Sequence, residues 1–173
     1  MKKALIVIDM LKDFLDEDGV LTIGDSANLI ENVASRIAVH RREGHPVIYL
    51  MDQHREDDLE FNMFPPHCIK GTPGGDIVEA LAPLKGDFLI AKRRYSGFFG
   101  TDLDLTLRDL KITEVELAGV CTQICVLYTA ADARMLNYGV TLYEAAVASF
   151  DPEAHDFALK EMSATLGVKV IAL

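Results

Sequence analysis

Most features that direct a chain to a membrane, a nucleic acid or the cell exterior are missing here. No apolar run approaches the length of a membrane span. The short apolar stretch behind Met1-Lys2-Lys3 ends at Asp9, and no small-residue cleavage site follows it. It therefore reads as a buried strand, not a signal peptide. Basic residues are outnumbered, with 17 Lys and Arg against 27 Asp and Glu and a formal net charge of -10. That balance argues against a nucleic-acid partner and against a polybasic membrane patch. Cysteine is scarce and odd in number, with only Cys68, Cys121 and Cys125. Without a secretory signal, this points to free thiols in a reducing cytoplasm. There is no internal repeat, low-complexity tract or inter-domain linker. The 173 residues fit one domain, 1–173, large enough to bury a core without disulfide staples.

Apolar runs alternate with helical patterns throughout. Strands are predicted over Ala4–Ile8, Pro46–Met51, Phe88–Ala91, Glu114–Gly119, Val140–Ala146 and Val168–Ala172. Between them lie a helix capped by Ser26 with Leu29, Ile30, Val33 and Ile37 on one face, a short helix over Asp76–Leu84, and one beginning at Thr101. A nearly all-apolar helix follows over Thr122–Leu136, and another starts at the cap and first-turn pair Asp151-Pro152 and runs to Thr165. Strands alternating with helices predict an α/β fold with a six-stranded parallel sheet and helices on both faces. In such sheets, sites gather at the carboxyl ends of the strands.

Three reactive groups fall at such ends. Asp9 follows the first strand, Lys92 the third, and Cys125 comes shortly after the fourth, in G-V-C-T-Q-I-C-V-L. Each has an ordinary reading: a turn or cap for Asp9, a solvated charge for Lys92 and its neighbours Arg93 and Arg94, a buried structural thiol for Cys125. With Thr122 as a helix cap, Cys125 is predicted in a first helical turn, where free N–H groups and the helix dipole favour a thiolate. The C-x-x-x-C spacing is not the redox C-x-x-C motif. Taken together, a thiol, a carboxylate and an ammonium suit nucleophilic catalysis without a histidine base.

A long segment from Asp52 to Gly75 carries a second constellation. Asp52 and His54 project to one side of an extended chain, Glu60 lies further on, and His67 stands in F-P-P-H-C-I-K-G-T-P-G. Two imidazoles and one or two carboxylates suit zinc, iron or manganese. The alternative is a solvated acidic loop with incidental histidines, which is how His40, His45 and His155 read. Cys68 reads as a packing residue.

These segments, with I-V-I-D-M-L-K-D-F, K-R-R-Y-S-G-F-F-G-T-D-L-D and G-V-C-T-Q-I-C-V-L-Y-T-A-A-D-A, resemble the nicotinamidases of the isochorismatase-like cysteine hydrolase superfamily across essentially the whole chain. The resemblance implies a Rossmann-like three-layer sandwich and a catalytic triad of Asp9, Lys92 and Cys125. It implies a cis peptide between Val120 and Cys121, and an oxyanion hole from the N–H groups of Cys121 and Cys125. It further implies one divalent transition metal, zinc before iron or manganese, on Asp52, His54 and His67, with Glu60 as the natural match for a fourth ligand. Phe14, Phe64 and Tyr95 would be the aromatic walls. The implied reaction is hydrolysis of nicotinamide to nicotinate and ammonia through a cysteine thioester, in NAD salvage, by a cytoplasmic homo-oligomer. The chain departs from the family pattern at Cys121, where alanine or leucine is familiar, and at Phe64, where tryptophan is common. Two other readings stand beside this one: a superfamily hydrolase acting on a different small amide, and a catalytically silent binding protein on the same fold.

Overall fold

The computed structural model describes residues 2–172; Met1 and Leu173 lie outside it. Six strands, β1 (Lys3–Ile8), β2 (Val47–Asp52), β3 (Phe88–Lys92), β4 (Glu114–Val120), β5 (Gly139–Ala148) and β6 (Lys169–Ile171), form one sheet in the order β3-β2-β1-β4-β5-β6. Every pairing is parallel. The strands were legible because a parallel sheet covered on both faces needs unbroken apolar runs, and β1 is buried from Ala4 through Ile8.

The helices divide between the two faces. On one side lie the single turn α1 (Lys12–Leu15) and α2 (Ala27–Arg42), whose Leu29, Val33 and Ile37 pack on Leu5, Val7, Val47 and Tyr49. On the other lie α3 (Leu103–Asp109), α4 (Leu127–Met135) and α5 (Pro152–Ala164), packed on Ile6, Ile8, Leu50 and Leu117. The order in which strands are added reverses at the β1/β4 seam, which opens a crevice at the carboxyl ends of those strands.

Several expectations need correction. Asp76–Leu84 is not a helix: Ile77 bridges Leu11 in extended geometry, and only one tight turn, Glu79–Leu81, forms. The apolar spacing of Ile77, Val78 and Leu81 mimics a helix face, but Pro83 keeps Ala82 extended (φ -48, ψ 131). The predicted Thr122–Leu136 helix divides into a π-helical turn, Thr122–Val126, and α4. Nor is it buried all round, since Tyr128 and Met135 are exposed. Ser26 does not cap α2 through its side chain; its hydroxyl donates to the Leu15 carbonyl at 2.9 Å. Asp151 does cap α5, accepting from Ala154 N–H at 3.1 Å.

His40, read as incidental, is buried and lies 3.1 Å from Glu116 on β4. Arg36 grips the same carboxylate with two bonds of 2.6 and 2.9 Å, so Glu116 ties α2 to the sheet centre. Burial opposes ionisation of Glu116, but His40 and Arg36 outweigh it and hold its carboxyl below the usual range. A carboxyl depressed in the folded state stabilises the fold above its unfolded pKa, and that contribution vanishes as pH falls through the folded value. Glu116→Gln should therefore cost about 1–2 kcal/mol near neutrality, below the cost of breaking a fully buried pair because Arg36 is partly solvated. Urea denaturation at neutral pH should show the deficit, and at pH values below the folded pKa the two proteins should converge.

Candidate functional site

The strand ends deliver four side chains to one place. Asp9 directly follows β1, with a left-handed φ of 51° and its N–H donating to Leu50 O at 2.9 Å. Asp52 and Lys92 are in-register partners at the ends of β2 and β3, so their side chains leave the sheet on the same face. Cys125 sits in the turn after β4. Lys92 Nζ lies 2.8 Å from Asp9 Oδ2, 2.5 Å from Asp52 Oδ1 and 3.3 Å from Cys125 Sγ, and all four residues are buried. Asp9 Oδ1 accepts from the Asp52 N–H at 2.9 Å, while Oδ2 has no well-aligned donor. One oxygen of Asp9, one of Asp52 and the Cys125 sulfur lie within 4.8 Å of one another, so the thiol proton has a carboxylate at hand.

The electrostatics divide these groups. Burial, reinforced by Asp52, raises the Asp9 carboxyl to about 6 against the pull of Lys92. Burial pushes the Cys125 thiol well above its ordinary value, with Lys92 opposing. For Lys92, burial favours loss of the proton, but Asp52 and Asp9 outweigh it and keep the ammonium charged. Near neutrality the arrangement is therefore thiol, mostly ionised carboxylate and ammonium. This corrects the expectation of a helix-stabilised thiolate: Cys125 precedes α4, in the π-helical turn, and Thr122 spends its hydroxyl on His155 Nδ1 at 2.8 Å, not on a cap. A carboxyl near 6 is matched to taking a proton at neutral pH and returning it later. The peptide bond between Val120 and Cys121 is cis.

Beside this group stands the second cluster. Ligand atoms of Asp52, His54 and His67 fall within 4.8 Å of one another. His54 Nε2 lies 3.6 Å from Asp52 Oδ2 and 4.0 Å from Glu60 Oε1, and His67 Nε2 lies 3.9 Å from Asp52 Oδ2. These separations are too long for hydrogen bonds. They suit atoms that each reach about 2 Å to a shared ion. His54 Nε2, which faces Asp52 and Glu60, is buried without a hydrogen-bond partner, an orphaned state that a metal would relieve. His67 Nδ1 is 2.8 Å from Pro65 O, which places its proton there and turns the Nε2 lone pair to the cluster. Burial lowers the His67 pKa, favouring the neutral ligand form. The residues present thus fit a divalent transition metal.

Both clusters open on one cavity of about 450 Å³. Phe14, Phe64 and Tyr95, predicted as its aromatic walls, all line it, as do Cys121 and Glu60. Sequence reading missed Val20, Leu21, Ile124 and Phe150, which complete the apolar wall. It also missed Phe61, whose ring lies 5.4 Å from His54 and 5.7 Å from His67. The Asp13 carboxylate accepts from Cys68 N–H at 2.7 Å and pins the His67 loop to α1. Cys68 itself is fully buried, as its packing reading requires.

Residues 3–173 match the isochorismatase domain model. The chain belongs to the isochorismatase family. It is 42% identical over 98% of its length, and 99% of the relative's, to a Bacillus subtilis (strain 168) protein described as the uncharacterized isochorismatase family protein PncA. The crystal structure of nicotinamidase PncA from Bacillus subtilis superposes with a TM-score of 0.92, covering 98% of this chain and 99% of that one. Pyrazinamidase of Pyrococcus horikoshii in complex with zinc gives a TM-score of 0.94 at 32% identity, covering 100% of both chains. N-carbamoylsarcosine amidase from Thermoplasma acidophilum is also similar, with a TM-score of 0.90, 36% identity and coverage of 99% and 96%. The chain is thus an isochorismatase-family hydrolase, in a family whose members act on more than one substrate.

Proposed function

We propose that this hydrolase is a nicotinamidase, converting nicotinamide to nicotinate and ammonia as a step of NAD salvage. The observation that carries the reading is the shared cavity: Asp9 and Cys125 of the first group and Asp52 and His67 of the second line one apolar, aromatic-walled space. Similarity to nicotinamidase PncA and to the zinc-containing pyrazinamidase supports it.

In this mechanism Asp9 takes the proton from Cys125 as the sulfur attacks the carboxamide carbon. The backbone N–H groups of Cys121 and Cys125 receive the developing oxyanion. Asp9 passes its proton to the departing nitrogen, so the C–N bond breaks, ammonia leaves and a thioester remains. Asp9 then deprotonates a water that attacks the thioester; nicotinate departs and the sulfur regains its proton. Lys92 stays charged throughout and offsets the negative charge on the carboxylate and the sulfur. Phe14, Phe64 and Tyr95 hold the planar ring. Asp52, His54 and His67, with Glu60 beside them, would hold a divalent ion, zinc before iron or manganese, whose chemistry there is to accept the lone pair of a pyridine-type nitrogen.

The competing reading, a small amide bearing a carboxylate, is favoured by the similarity to N-carbamoylsarcosine amidase and to ureidoacrylate amidohydrolase. The cavity walls argue against it. Their charged side chains are Asp9, Asp52 and Glu60, and among the described residues no arginine lines the space. The buried Lys92 is already engaged by Asp9 and Asp52. Among the protein's own side chains, a substrate carboxylate would meet like charges with no free cation to offset them.

Ammonia release from nicotinamide should therefore greatly exceed that from N-carbamoylsarcosine. Removal of metal with a chelator should reduce nicotinamide hydrolysis by at least about tenfold, and added zinc should restore it. Preference for the carboxylate-bearing amide, or full activity in metal-free protein, would defeat the reading.

A further inference from the structure

The Arg93-Arg94 pair has no part in the mechanism above, yet it converges on a buried acid. Asp58 is fully enclosed at its side chain, and it touches four partners. Arg93 Nε donates to its Oδ2 at 3.1 Å and Arg94 Nη1 to its Oδ1 at 3.0 Å. The Glu60 N–H donates to Oδ1 at 3.1 Å, so Asp58 caps the short helical turn Leu59–Asn62 that carries Glu60. His54 Nδ1 lies 3.3 Å from Oδ2, on the ring edge opposite the nitrogen that faces Asp52 and Glu60. Arg94 also approaches Glu60 Oε2 at 3.8 Å.

We propose that Asp58, anchored by Arg93 and Arg94, is a positioning residue for the metal site, fixing His54 by its Nδ1 edge and Glu60 by its backbone. The inference rests on the metal-site part of the functional reading and deepens it. Carboxylates behind ligand imidazoles set the tautomer and the ring angle, and their loss typically weakens metal binding. Here one carboxylate does this for a histidine and also sets the start of the turn bearing a second acid. Because the two arginines directly follow Lys92, the strand that delivers the buried ammonium also carries the clamp for Asp58. Asparagine at this position would keep the volume but lose the charge that holds both guanidinium groups and favours a proton on His54 Nδ1.

Zinc affinity, measured by competition with a chromogenic chelator, should fall about 10–100-fold in Asp58→Asn while the far-ultraviolet circular dichroism stays that of the wild type. Affinity within about threefold of wild type would overturn the proposal. A second measurement needs no variant, so it decides even if Asp58→Asn does not fold. In zinc-loaded wild-type protein, nitrogen-15 spectra should show His54 protonated at Nδ1; a proton at Nε2 would overturn it. Neither readout involves substrate. Failure of nicotinamide as a substrate leaves both intact, whereas wild-type protein that binds no zinc overturns the proposal together with the metal part of the functional reading.

Discussion

Cys125→Ala should lower nicotinamide turnover by at least about 10⁴-fold, the scale of loss when a covalent nucleophile is removed from a group that acts as a unit. The side chain is small and buried, and alanine keeps most of its volume, so the fold should persist. Substrate affinity should persist as well, because Phe14, Phe64, Tyr95 and the metal-site residues are untouched. Asp9→Asn should lose about 10²–10⁴-fold for a different reason: the sulfur remains, but nothing takes its proton. Burial holds the Cys125 thiol protonated, so a base is needed before attack. The two defects should not multiply in the double variant, since each variant disables the same step. Mass spectrometry adds an independent check. Wild-type enzyme quenched during turnover should carry a thioester at Cys125, and the alanine variant none. Substantial ammonia release by Cys125→Ala would remove the thiol from the mechanism.

How much of this was legible in the sequence depended on what each residue contacts. The strands were readable because burial on both faces demands continuous apolar runs, and β1 through β6 fall within about two residues of their expected limits. Asp9, Lys92 and Cys125 could be paired from sequence because a parallel sheet brings strand ends to one edge whatever their separation along the chain. Their ionisation was not legible. It follows from enclosure, which raises the Asp9 carboxyl to about 6 and pushes the Cys125 thiol well above its ordinary value. Contacts that need a specific loop path were missed for the same kind of reason. Asp58 and Phe61 are ordinary residues in an acidic segment until the chain folds them against His54. Phe150 and Val20 reach the cavity from loops that carry no periodic pattern. His40 and His155 looked incidental because their partners, Glu116 and Thr122, are distant in sequence.

The largest effect on stability should come from a residue with no side chain. Gly119, near the end of β4, pairs with Ile8 of β1 and has a φ of 120°. A Cβ built there would lie 2.0 Å from the Ile8 carbonyl oxygen, a backbone atom of a neighbouring central strand that cannot rotate away. Relief would require parting the two strands at the seam where the crevice opens, directly between Asp9 and the turn bearing Cys125. Gly119→Ala should therefore cost more than about 4 kcal/mol, against a total stability typically of about 5–15 kcal/mol. For a chain of this size that loss lowers Tm by about 8–16 °C, or prevents accumulation of folded protein. Gly44 supplies the control. Its φ of 72° is also left-handed, but nothing lies within 4 Å of the added atom. Gly44→Ala should cost only about 1–2 kcal/mol, the strain of that conformation alone. Thermal unfolding of the two variants separates close approach from backbone strain. Equal melting temperatures would mean that the β1–β4 seam is not as tight as the register requires, and the placement of Asp9 against Cys125 would have to be redrawn with it.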